Sequence, residues 1–283
     1  MNAQGINWND ALVVGLALVA ATIALVPLVI LLVQRIYPGR NVYFARWGFS
    51  HVVVALAVIL LSMAVVGWLW PVPEGQRLDA VDALSRTALG LGLGCASVAA
   101  FAARLAPEGI RALGLARGRH GSAVLAGVLS YFLLLPGLFG VMIVWKVILD
   151  KLAPGHEPQA VMQMMLELSP DRRLMAVFFG VLLIPLFEEL LFRAFLQPLL
   201  VQNVRDRLGI VVTALIFGLL HGTAACVPVF ALALLLGGLM LRTQSLIAVW
   251  AVHALHNGLM FVVIFVFPEA VRNLQSQGLV IWP

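Results

Sequence analysis

The sequence predicts an all-α polytopic membrane protein of about eight transmembrane helices enclosing a polar intramembrane cavity. Three observations predict it. Of 283 residues, 62% are hydrophobic and only 11% charged, with a mean hydropathy of +1.03, whereas soluble domains carry about 25% charge. Apolar runs long enough to span a bilayer, about 20 residues, recur along the chain. Against that background, a few ionisable residues stand inside the late spans, where burying a charge is costly.

The first span lies near 11–34. The preceding "MNAQGINWND" has no Lys or Arg, a poor start for a cleavable signal, and the apolar run is too long for one. The first helix is therefore expected to remain in the protein. A second strong span lies near 47–70. A weaker third, near 87–106, contains "GLGLG" at 90–94. With no strand before it, that stretch reads as close helix packing rather than a nucleotide loop. The fourth span lies near 122–147. In the loop that follows, "EPQAVMQMMLEL" (157–168) reads as a short interfacial helix. It either admits a substrate or covers the loop. A fifth strong span, near 175–200, carries "PLFEELLFRAFL". Two weaker spans near 208–222 and 225–241 precede the last, near 246–267. No internal repeat or linker sets off a second domain, so residues 1–283 read as one integral membrane domain.

The net charge of +5 and pI near 9.9 fit loop positions better than a nucleic-acid surface. Basic residues gather in the loops 35–46 and 104–120 and at Arg205, Arg207 and Arg242. Such residues mark the cytoplasmic side, which puts both termini outside, most naturally of a bacterial inner membrane. Cys95 and Cys226 are too far apart in sequence to suggest a disulfide framework or a zinc spacing. Both are expected to be small packing residues outside the polar cluster.

That cluster is assembled by helical spacing. Glu189 and Arg193 are four residues apart and share a face; so do Phe217 and His221, and His253 and Asn257. Glu188 lies about 16 residues before the turn at Asn203–Arg205 and His221 about 17 after it. At about 1.5 Å per residue both sit about 25 Å along their helices from that turn, at one level. His253 and Asn257 enter the last helix by about 12–18 Å. A carboxylate and an imidazole can hold water and take its proton; a second imidazole and a carboxamide can stabilise an oxyanion. These are the parts of a peptide hydrolase. There is no Gly-x-Ser-x-Gly elbow and no HExxH.

"EELLFR", "FGLLH" and "HALHN", in that order and preceded by Pro185, resemble the EExxxR, FxxxH and HxxxN motifs of the CAAX-protease and bacteriocin-processing family. That family of intramembrane endopeptidases includes the type II CAAX prenyl endopeptidases. The resemblance covers about 172–262. It implies an eight-helix fold and a glutamate- or metal-dependent endopeptidase. Glu188 and His221 would activate water, His253 and Asn257 would form the oxyanion hole, and Glu189 with Arg193 would be structural. Zinc on His221, His253 and a carboxylate is the competing arrangement; Asn257 suits an oxyanion better, so no obligatory metal is expected. The substrate would be a peptide or protein, lipid-modified or bearing a C-terminal sorting signal. The depth estimate puts the cavity nearer the external face, which favours an exported peptide. His256, off the motif positions, reads as packing or support.

Two other classes use the same residues differently. A proton- or ion-coupled transporter would employ the buried Glu and His groups as a relay, although no inverted repeat is visible. A non-catalytic scaffold or bacteriocin immunity protein would keep them as an internal ion network.

Overall fold

The computed structural model describes residues 8–37, 45–72, 78–115, 120–152 and 160–276. The helices are α1 (Trp8–Ile36), α2 (Phe49–Leu69), α3 (Ala80–Leu105), α4 (His120–Leu152) and the short α5 (Ala160–Leu166). After them come α6 (Pro170–Val204), α7 (Asp206–Leu219), α8 (Cys226–Thr243), α9 (Leu246–Val266) and α10 (Pro268–Ser276). No strand occurs among the described residues. Among the described residues, seven helices are long and apolar enough to cross a membrane. The expected span near 208–222 is the exception: α7 has only 14 residues, about 21 Å at 1.5 Å each, short of the roughly 30 Å hydrocarbon core. The expected interfacial helix is seen only in part, as α5; residues 157–159 lie outside the described residues.

Small residues set the outer contacts. Gly90 and Gly94 of α3 face Met63 and Ile59 of α2, while Gly92 between them faces Phe187 of α6. A methyl group at Gly90 would lie 2.6 Å from Met63 Cγ, so "GLGLG" is a helix-packing stretch, as its surroundings imply. On the other flank, Gly137 and Gly140 of α4 meet Thr22 and Gly15 of α1, where added methyls would lie 2.5 and 2.6 Å from their neighbours. Only 6% of the α1 span and 11% of the α2 span is buried, against 50% for α8. The first two helices therefore face lipid, and the core lies among α3, α4, α6, α8 and α9.

Two devices fix α6 at the centre. At its start, Arg172 pairs with Asp79 and Asp82, and Asp79 caps α3 by accepting from the N–H groups of Val81 and Asp82 at 2.8 and 3.0 Å. Further along, the Trp47 indole N–H donates to Phe195 O at 2.9 Å and its ring stacks on Phe195 with centroids 5.0 Å apart. α9 runs against α6, with His253 beside Glu189 and Asn257 beside Gly180.

A candidate active site on the central helix

The central helix is not regular. It widens into π-helical turns at Phe178–Leu183 and Leu190–Leu196, on either side of the segment Ile184–Glu189 that carries both glutamates. Each wide turn ends just before a proline. Ile184 N–H donates five residues back to Phe179 O, and Gln197 N–H five back to Phe192 O; Pro185 and Pro198 follow directly. A proline ring clashes with the carbonyl four residues back and supplies no N–H. Widening the turn relieves the clash, and π turns of this kind gather at functional sites. Carbonyls in and between the wide turns take donors from other helices: Gly180 O from Asn257 Nδ2 at 2.9 Å, Leu182 O from Trp250 Nε1 at 2.8 Å, and Phe187 O from Cys95 Sγ at 3.5 Å. Cys95 thus packs against the residue before Glu188. It lies closer to the polar cluster than its place in the sequence suggests.

Glu189 is fully buried and serves two partners. One carboxylate oxygen accepts from His253 Nδ1 at 2.8 Å. The other lies 3.4 Å from Arg193 Nε, an ion pair without hydrogen-bond geometry. Arg193 is also fully buried, and its guanidinium carbon stands 4.4 Å over the Phe217 ring. A desolvated cation over an aromatic face gains about 2 kcal/mol, which helps to offset the cost of burying it. Arg193 Nη1 and Nη2 have no hydrogen-bond partner among the described residues.

With Nδ1 tied to Glu189, His253 turns Nε2 toward Glu188, at 3.8 Å from Oε2. That gap is too long for a direct hydrogen bond. Glu188 is the less buried carboxylate, with its side chain 18% exposed. Phe217 is the hub of the cluster: its ring lies 4.6 Å from that of His221, 6.0 Å from that of His253 and 4.9 Å from that of Phe192. His221 itself stands just past the C-terminal end of α7, in a turn. Its Nδ1 donates to Phe217 O at 2.7 Å, which leaves Nε2 as an acceptor.

The shortness of α7 bears on this site. A helix that stops about 21 Å from the Arg205 turn leaves non-helical backbone at 220–225 within the depth of a bilayer. Such backbone is tolerated only where protein buries it or it lines an aqueous cavity. The protein covers part of it: Trp145 Nε1 donates to Thr223 O at 2.9 Å, and Cys226 N–H to Gly222 O at 2.9 Å.

Glu188, Glu189, Arg193, His253 and Phe217 are thus brought into one cluster, with His221 on its edge against Phe217. Asn257 reaches the same wall of α6, with one amide N–H on Gly180 O. His256 points elsewhere, to Tyr131 Oη at 2.9 Å, beside a small apolar crevice between α4, α8 and α9. One expectation needs correction. Glu188 lies near the middle of Pro170–Val204, so its depth does not favour the external face. Among the described residues no three His, Cys, Asp or Glu side chains group so as to hold a metal ion, and His221 and His253 both engage Nδ1 within the protein.

Fold and cluster together define a polytopic membrane protein with a carboxylate–imidazole centre among its helices. Residues 170–259, about a third of the chain, match the family model described as "Type II CAAX prenyl endopeptidase Rce1-like". That match bears out the resemblance carried by the three motifs. No curated protein and no solved structure matches the chain.

Proposed function

We propose that the protein is an intramembrane endopeptidase that hydrolyses a peptide bond with a water activated by Glu188. The observation that supports it best is the arrangement of the two adjacent glutamates about His253. Glu189, held by Arg193, orients the ring, and Nε2 on its other edge faces Glu188 at 3.8 Å. In this reading Glu188 and His221 Nε2 take the water's proton as its oxygen attacks the scissile carbonyl. His253 and the second N–H of Asn257 donate to the oxyanion. The proton then passes to the leaving amine, and the C–N bond breaks. The residues 1–283 act as one integral domain with both termini outside the cytoplasmic membrane. The substrate is a peptide that carries a lipid group or a C-terminal sorting signal.

The test is purified protein in proteoliposomes, incubated with host membrane peptides in water enriched in oxygen-18. Wild type should create new C-termini carrying the heavy oxygen, before and after chelation of divalent metals, and Glu188→Gln should create none. Cleavage by Glu188→Gln at the wild-type rate would overturn the assignment. Cleavage lost to chelation and restored by zinc would overturn the metal-free mechanism. An ion flux dependent on Glu188, without any new terminus, would replace hydrolysis with transport.

A further inference from the structure

The motif residues do not explain why Asn257 faces the site as it does. Its carboxamide is fixed by one bond, Nδ2 to Gly180 O at 2.9 Å. That carbonyl is free for a specific reason. At the end of the wide turn the ladder steps five residues back, and Ile184 N–H reaches Phe179 O. The next residue in that ladder would serve Gly180 O, and it is Pro185, which has no N–H. Gly180 is itself buried against Phe261 of α9, so its unpaired carbonyl would carry a desolvation cost of about 1–3 kcal/mol if nothing donated to it.

We infer that Pro185 is a positioning residue: by withholding an N–H from Gly180 O, it reserves that carbonyl for Asn257 and so fixes the carboxamide one turn from His253. An alanine at 185 acts in two ways. It brings an N–H within reach of the carbonyl, and it removes the ring that keeps the turn wide, so the carbonyl is drawn back into the α6 ladder and away from α9. Asn257 then rotates freely, although no motif residue has changed. The kinetic consequence rests on the peptidase reading above; the hydrogen bond does not.

The experiment therefore has two parts. The protein labelled with nitrogen-15 asparagine in lipid nanodiscs is examined by NMR, with the Asn257 side-chain amide assigned by its loss in Asn257→Ala. In wild type one of its two protons should resist exchange with solvent, and in Pro185→Ala both should exchange fast. Rapid exchange of both protons already in wild type overturns the inference, even if Pro185→Ala fails to fold. So does a proton that stays protected in a folded Pro185→Ala. In the peptidase assay, Asn257→Ala and Pro185→Ala should each lower kcat, by about 10²-fold for the loss of an oxyanion donor, with KM unchanged. The double variant should be no worse than either. Losses that multiply to about 10⁴-fold would mean that Pro185 acts independently of Asn257. If no peptidase activity exists at all, the amide measurement still decides the inference.

Discussion

At the scale of single residues, the adjacent glutamates have opposite surroundings. Glu189 is sealed between Arg193 and His253, whereas Glu188 is partly exposed. Their substitutions should therefore fail differently. Glu188→Gln preserves shape and packing, so it should fold normally and lose about 10²–10⁴ in kcat, the usual worth of a positioned acid–base group. Arg193→Leu leaves Glu189 charged and buried without its counter-ion. It should destabilise the protein by about 3–5 kcal/mol, read as a lower unfolding midpoint in detergent. Glu189→Leu combined with Arg193→Leu removes both charges and should recover most of that stability but none of the activity, because His253 has lost its partner. An Arg193→Leu protein as stable as wild type would show that the pair does not hold the site together.

At the scale of elements, α6 carries the site and its neighbours hold it at unequal cost. The Arg172 pairs with Asp79 and Asp82 sit at a surface, each side chain about a third exposed, where such bridges contribute about 0–1 kcal/mol. Arg172→Ala should shift the unfolding midpoint little and leave kcat intact. α1 is tied chiefly to α4 through Gly15, Thr22, Gly137 and Gly140. Gly137→Leu should separate α1 from α4, seen as a lower unfolding midpoint in detergent, with cleavage retained.

Much of this was legible in the sequence. The strong spans followed from run length, and the shared faces of Glu189 with Arg193 and of Phe217 with His221 from their spacing of four residues. What spacing missed has a physical cause. The wide turns of α6 break the 3.6-residue period, so contacts such as Asn257 with Gly180 and Trp250 with Leu182 do not follow from a helical wheel. Pro185 and Pro198 were the available signal, because a proline inside a long apolar helix must displace its neighbours. The short α7 was missed because its apolar pattern continues through Leu219 and Leu220, whereas the helix ends there and the chain turns through Gly222 at φ +78°.

At the scale of the whole molecule, the arrangement separates a lipid-facing shell from a polar interior. α1 and α2 present apolar surface outward, while the charged cluster lies near the middle of α6. Basic residues at one end of the bundle set the proposed orientation. With both native cysteines replaced by alanine, Glu269→Cys should react with an impermeant thiol reagent in intact cells, and Arg111→Cys only after permeabilisation. The reverse pattern would invert the topology and open the cavity to the other compartment.

The adjacent glutamates of α6 are proposed to serve proteolysis. The most direct measurement compares peptide termini in native-host membranes carrying wild type or Glu188→Ala, at matched abundance and folding. The account predicts termini present only with wild type, and their sequence names the substrate. Identical sets of termini from the two folded proteins would contradict it.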